Sequence, residues 1–265
     1  MNLVDIGANL SHESFEHDLN EVIGSARAAG LAHIIVTGTD QKSNEAALQL
    51  SQNHPDFFSC TAGFHPHVAE SFDEAALASI RKLASQDKCL AIGETGLDFN
   101  RNFSSEEAQL KAFELHLQLA AELGLPLFLH QRDAHPEFLT LLQQYREQIV
   151  GGVVHCFTDT EEALHDYLTL DMYIGITGWV CDERRGTELQ SLVKQIPNDR
   201  LLIETDSPYL LPRTIRPKPK TRRNEPKHLV EVLYTLSRCC DRPPEQLASE
   251  TTENAKRLFG ITIEQ

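Results

Sequence analysis

The chain has 265 residues, 41% of them hydrophobic and 24% charged, and carries a formal charge of −15. That is the make-up of a folded globular protein, and it excludes global disorder, collagen-like repeats and a disulfide scaffold. The acidity excludes a broad basic face that coats duplex nucleic acid but is compatible with a local grip on a few phosphates.

The N-terminal stretch MNLVDIGANL has no basic segment ahead of an apolar core, so no signal peptide is expected. Short apolar runs then recur along the chain: Asn2–Ile6, His33–Thr37, Phe57–Gly63, Cys89–Gly93, Pro126–His130, Gly152–His155, Met172–Gly175 and Arg200–Glu204. They are rich in Ile, Val, Leu and Phe and do not alternate with polar residues, which predicts strands buried on both faces of a parallel sheet. Helices are predicted between them near Phe15–Ala29, Asn44–Asn53, Asp73–Ala84, Ser104–Leu123, Thr160–Leu168, Gly186–Gln195, Lys227–Cys239 and Pro244–Phe259. The clearest is Ser104–Leu123. Ser104 and Glu107 have the spacing of a capping box, Leu110, Phe113, Leu117 and Ala121 form an apolar stripe, and Gly124 and Pro126 end it. Strands alternating with helices predict an α/β fold, a (β/α)8 TIM-like barrel, with an open doubly wound sheet as the alternative. No GxGxxG or GxxxxGK[ST] follows a strand, so the open nucleotide-binding sheet lacks its usual support. Such a barrel fills about 250 residues, which predicts one domain over 1–265. The six cysteines, Cys60, Cys89, Cys156, Cys181, Cys239 and Cys240, contain no CxxC pair and read as reduced thiols. A cytoplasmic monomer with no membrane partner is expected.

Chemistry concentrates where the strands are predicted to end, which is where a barrel builds its active site. Twelve histidines placed at random would put about one in those short windows, but His65, His130 and His155 all fall there, with His67 just beyond. Glu94 and Asp206 share the same band. Each has an ordinary structural reading. A strand-end His is often a hydrogen-bonded structural residue, and a strand-end carboxylate often caps the next helix. Asp5 would bond to nearby backbone, Asp98 and Asp133 would be solvated or pair with Arg101 and Arg132, and Cys156 would be a packed thiol. The joint placement of Glu94, His130, His155 and Asp206 points instead to a metal site of a hydrolase.

Several stretches then carry a resemblance: GFHPH (63–67), AIGETGLDFNRNFS (91–104), PLFLHQRDA (126–134), VVHCFT (153–158), YIGITGWVCDERRG (173–186), LLIETDSPYLLPR (201–213), RRNEP (222–226) and TTENAKRLFG (251–260). In these the chain resembles the TatD family of metal-dependent nucleases, within the amidohydrolase-like barrels. The resemblance implies a magnesium-dependent 3′–5′ exonuclease on single-stranded DNA and RNA, in DNA repair or nucleic-acid turnover. It carries metal roles to Glu94, His130, His155 and Asp206. It fails at strand 1, where most of the family has His-x-His and this chain has Gly7 and Asn9. Asn9 would then supply at most a carbonyl oxygen.

On this reading a metal held by Glu94, His130 and His155 polarises a phosphate, while Asp206 acts as general base or completes the metal shell. His65 and Arg132 would meet phosphate oxygens. The donor set favours Mg²⁺ or Mn²⁺ over Zn²⁺, and the resemblance points to Mg²⁺. The segment RTIRPKPKTRR, Arg213 to Arg223, has six basic residues and no acid. It reads either as a solvated, proline-stiffened loop or as a clamp on a single strand through Arg222 and Arg223, with Trp179, Phe99 or Tyr209 stacking on bases. Two rival functions stay open: a metal hydrolase of another bond, such as an aminoacyl-tRNA ester, and a non-catalytic binding protein.

Overall fold

The computed structural model describes residues 2–263 of the chain; Met1, Glu264 and Gln265, part of the expected domain over 1–265, lie outside the described residues. Eight strands follow one another in a single sheet in chain order: β1 (Leu3–Ala8), β2 (Leu31–Val36), β3 (Phe58–Ala62), β4 (Cys89–Asp98), β5 (Leu127–Arg132), β6 (Gly152–Val154), β7 (Tyr173–Ile176) and β8 (Leu201–Ile203). Helices alternate with them: α1 (Leu19–Ala28), α2 (Gln41–Asn53), α3 (Glu74–Ala84), α4 (Glu106–Leu123), α5 (His135–Tyr145), α6 (Glu161–Thr169), α7 (Thr187–Leu192), α8 (Leu229–Cys240) and α9 (Pro244–Phe259). Strand pairs β1–β2, β3–β4, β4–β5, β5–β6 and β7–β8 are parallel. The fold is the expected α/β class, a (β/α)8 TIM-like barrel. The chain packs as two compact units interleaved in sequence.

One unit takes the chain up to Val36, then Cys156–Thr158, then Ile174 onward. Here β1 and β8 are buried along their length. The end of β8 turns back to β1, Asp206 N donating to Gly7 O at 2.8 Å. Helix α9 packs on both strands through Leu247, Ala248 and Ala255.

The other unit takes Thr37–His155 and Asp159–Tyr173. It is organised around β4, which runs five residues past the predicted Cys89–Gly93, to Asp98, and buries every residue except the half-buried Leu90. Glu94 and Asp98 are therefore strand residues, not loop residues. Gly96 makes this possible. Its φ is +145°, and a Cβ there would lie 1.8 Å from the His130 carbonyl oxygen on β5, opposite which it sits in register. Only glycine lets the two backbones approach so closely.

Helix boundaries differ from the sequence expectation in physically simple ways. Helix α4 starts after Ser105, whose side chain accepts from Ala108 N, so Ser105 and not Ser104 is the N-cap. Ser104 is spent elsewhere, donating to His67 O and accepting from Glu70 N. Helix α5 was not expected. Its Pro136 sits in the first turn, where a missing N–H costs nothing, and Phe138, Leu142 and Tyr145 make its buried stripe. Among the described residues, no helix is long and apolar enough to cross a membrane.

Candidate metal centre

Glu94 is only 4% exposed, at mid-strand on β4. Its Oε1 is approached by His155 Nε2 at 2.9 Å, His130 Nδ1 at 3.0 Å and His65 Nε2 at 3.3 Å. Three imidazoles from separate strand ends thus converge on one carboxylate oxygen. Burial opposes ionisation of Glu94, but the charges and hydrogen bonds of these rings outweigh it and hold the carboxyl well below its usual range. Burial pushes His65 down to about 4, against the attraction of Glu94. His130 is also opposed by burial, yet its bonds to Asp98 and Glu94 raise it.

A second carboxylate backs the first. Asp98 is 1% exposed, its Oδ2 2.7 Å from His67 Nε2 and 3.5 Å from His130 Nε2. Its Oδ1 accepts from Asn100 N and Arg101 N at 3.0 and 2.9 Å. Burial works against its charge, and the bonds from His130 and His67 restore it, leaving the carboxyl well below the ordinary range. Asp98 is therefore neither solvated nor paired with the Arg101 side chain, as the sequence suggested, but faces two histidines. Asp133, by contrast, is exposed, as the sequence suggested, and its Oδ2 accepts from Asn100 Nδ2 at 2.6 Å. The exposed Arg132 ends β5.

Ligand atoms of His65, Glu94 and His130 lie within 4.8 Å of one another, so these residues could hold a metal ion. The donor chemistry fits a divalent cation: a carboxylate kept ionised, with imidazoles whose lone pairs are freed when they lose the proton shared with it. His65 is the least suited member. Its Nδ1 accepts the His67 backbone N–H at 3.1 Å, which leaves the proton of the neutral ring on Nε2, facing Glu94.

The other unit holds the remaining expected residues. Asp206, just past β8, has φ +54°, and its Oδ1 accepts from Asn9 Nδ2 at 3.0 Å. Asn9 N in turn donates to Ser207 O at 2.7 Å. Asn9 thus meets the β8 end through its amide nitrogen. Asp5 bonds to neighbouring backbone as expected, at Gly7 N, and also accepts from Thr205 N and Thr205 Oγ1. Sequence reasoning gave no role to Glu204, which is fully buried with Oε1 accepting from Cys156 N at 2.6 Å. Its signal was there, a second carboxylate in the same strand-end Glu-Thr-Asp. Cys156 is a packed thiol, its Sγ 3.6 Å from Thr177 Oγ1.

In the basic segment the two arginines part company. Arg223 lies over the Phe15 ring and pairs with Asp18 and Glu225 at 2.6 and 3.0 Å while donating to Ser14 O. Those partners take four of its five N–H donors, so its role is structural. Arg222 is exposed and lines a depression of about 630 Å³ with Arg184, Arg213, Arg216 and Lys218, with Glu183 the acid of the lining. Of the expected stacking residues, Trp179 already carries the Arg185 guanidinium at 4.5 Å, whereas Tyr209 is 52% exposed.

A barrel with a buried carboxylate–imidazole cluster at its strand ends is the architecture of a metal-dependent hydrolase. The chain matches the family described as "TatD related DNase" over residues 4–260 and belongs to it. A protein of Citrobacter rodentium named "3'-5' ssDNA/RNA exonuclease TatD" is 48% identical over 261 residues, which cover 98% of this chain and 99% of its own. A Pectobacterium atrosepticum protein of the same name is 47% identical over 259 residues, covering 98% of this chain and 100% of its own. Among solved structures, a TatD family hydrolase from Entamoeba histolytica superposes with a TM-score of 0.89 at 28% identity, covering 99% of both chains.

Proposed function

We propose that this protein is a divalent-metal-dependent 3′–5′ exonuclease on single-stranded DNA and RNA, a monomer serving DNA repair or nucleic-acid turnover. The observation that carries the reading is the single buried oxygen of Glu94 with three imidazoles around it, in a chain about half identical, end to end, to relatives bearing that name.

In this proposal Glu94, His130 and His155 hold the ion, and Asp206 serves as general base or further ligand on the strength of its motif match. A divalent cation there supplies charge stabilisation for the phosphodiester and makes water more acidic. His65 keeps its proton on Nε2 and donates it to a non-bridging phosphate oxygen, and Arg132 offers a second contact of the same kind. Asp98 orients His130 from behind, as carboxylates do for metal-bound histidines. Magnesium is the working ion that the resemblance carries. The imidazole content adds that Mn²⁺ should bind more tightly than Mg²⁺, since imidazole suits transition metals better.

End-labelled single strands, aminoacyl-tRNA and the metal-stripped and reloaded protein form the test. Stepwise loss of 3′ nucleotides with Mg²⁺ or Mn²⁺, abolished by EDTA, is expected. Hydrolysis of aminoacyl-tRNA with intact strands would overturn the reading. Glu94→Ala and His130→Ala should lower Mn²⁺ affinity by at least about tenfold in calorimetry, whereas His65→Ala should leave that affinity nearly unchanged and raise KM. If His65→Ala weakens Mn²⁺ binding as much as His130→Ala does, His65 is a ligand and its phosphate role is wrong.

A further inference from the structure

Phe103 is 66% exposed, the most exposed large apolar side chain among the described residues. A lone exposed apolar residue is ordinary on a protein surface. The seat of this one is not. Its ring meets the His67 ring at 85° with centroids 4.8 Å apart, and the His67 ring lies 4.2 Å from that of His65. His65 Nε2 in turn stands 3.3 Å from Glu94 Oε1. Phe103 is therefore two ring contacts from the carboxylate–imidazole cluster, and all of these residues belong to the same compact unit.

The loop that presents it is built. Asp98 Oδ1 accepts from Asn100 N and Arg101 N at its start. Asn102, with φ +48°, donates from Nδ2 to Phe99 O. Ser104 Oγ donates to His67 O and accepts from Glu70 N, and Ser105 N donates to Glu70 Oε1. The same carboxylate, Asp98, thus anchors both His67 and the loop. Such bracing fixes the backbone on both sides of Phe103 while the ring stays exposed, which stability alone would not require.

We propose that Phe103 is a stacking platform for the base of the terminal nucleotide while its phosphodiester lies at the Glu94 cluster. This rests on the exonuclease reading of that cluster and explains how the site selects strands. A base can lie on Phe103 only when it is free of a partner strand, so the platform favours unpaired ends. Base–aromatic stacking is sequence-tolerant, since every base offers a flat face.

The experiment crosses the side chain with the base. Single strands ending in a normal nucleotide, or in an abasic residue, are given to wild type, Phe103→Ala and Phe103→Trp. On the normal strand Phe103→Ala should lose roughly 5- to 150-fold in kcat/KM, the range of one base stack, and Phe103→Trp should restore it. On the abasic strand Phe103→Ala should match wild type. Equal losses of Phe103→Ala on both strands, or no loss on either, overturn the proposal. A second arm needs no turnover. In EDTA, a short thymidine oligonucleotide should quench Phe103→Trp beyond the change seen from Trp179 in wild type, and absence of extra quenching also overturns the proposal. A wild type that cleaves neither strand while Phe103→Trp is still quenched would overturn the exonuclease reading and leave the platform standing.

Discussion

Asp5 lies fully buried on β1, and burial drives its carboxyl up to about 8 despite the bonds from Thr205 and Gly7. In the unfolded chain the same group titrates near 3.8. Between those values the folded protein holds one proton that the unfolded chain has released. Stability contributed by this group is thus fully present below about pH 4 and is lost as pH rises through about 8, at up to ~1.4 kcal/mol per pH unit. Asp5→Asn imitates the neutral form, so its urea-unfolding free energy should vary less across that window. Parallel pH curves for the two proteins would mean that Asp5 is ionised when folded. At this scale the clustering of Glu94, His130 and His155 was legible in the sequence because apolar runs stop at or beside each of them, which is a local signal, even though β4 itself runs on to Asp98. Asp98 was not, because neighbours such as Arg101 are visible in sequence, whereas its true partners, His67 and His130, arrive from other elements. Phe103 was missed for the same reason, since exposure beside a distant histidine leaves no mark in the spacing.

Elements were legible where propensity and burial agree. The apolar runs marked the strands, and the sequence places helix Pro244–Phe259 with the same ends as in the structure. The length of β4 was not legible, because Gly93 and Gly96 look like strand breakers until a partner strand is seen to need the space. Two glycine substitutions separate these roles. Gly24 lies inside α1, exposed, with nothing within 4 Å of an added Cβ. Gly24→Ala should stabilise the protein by ~0.5–1 kcal/mol through helix propensity. Gly96→Ala drives a methyl group into the β5 backbone. It should cost at least ~3 kcal/mol and, by displacing His130, weaken Mn²⁺ binding in whatever fraction folds. Urea denaturation with Mn²⁺ calorimetry reads both. A Gly96→Ala protein of wild-type stability would mean that the approach of β4 to β5 is looser than described.

For the whole molecule the charge balance decides how a strand can be held. A protein of charge −15 repels a polyanion at long range. Any grip must therefore come from local reversal of sign, and the depression lined by Arg184, Arg213, Arg216, Lys218 and Arg222 is such a place. The sequence marked this segment by its six basic residues but could not sort them, because Arg222 and Arg223 are neighbours with opposite fates. The acids that capture Arg223 include Asp18, some two hundred residues away. The sorting has separate consequences. Arg216→Ala/Arg222→Ala removes two cations that face solvent, so folding stability should hold while strand binding weakens. If each contacts one phosphate of a single strand, the slope of log K against log salt should fall by ~1.4 in magnitude. Arg223→Ala should behave in the reverse way. It strips hydrogen-bonded partners from Asp18, Glu225 and Ser14 O, at a cost of ~1.5–3 kcal/mol in stability, and should leave the salt slope as it was. Fluorescence anisotropy of a labelled single strand over a salt series, beside urea denaturation of each variant, separates the two. A salt slope altered by Arg223→Ala, with stability unchanged, would place the grip on Arg223 and make the pairing with Asp18 incidental.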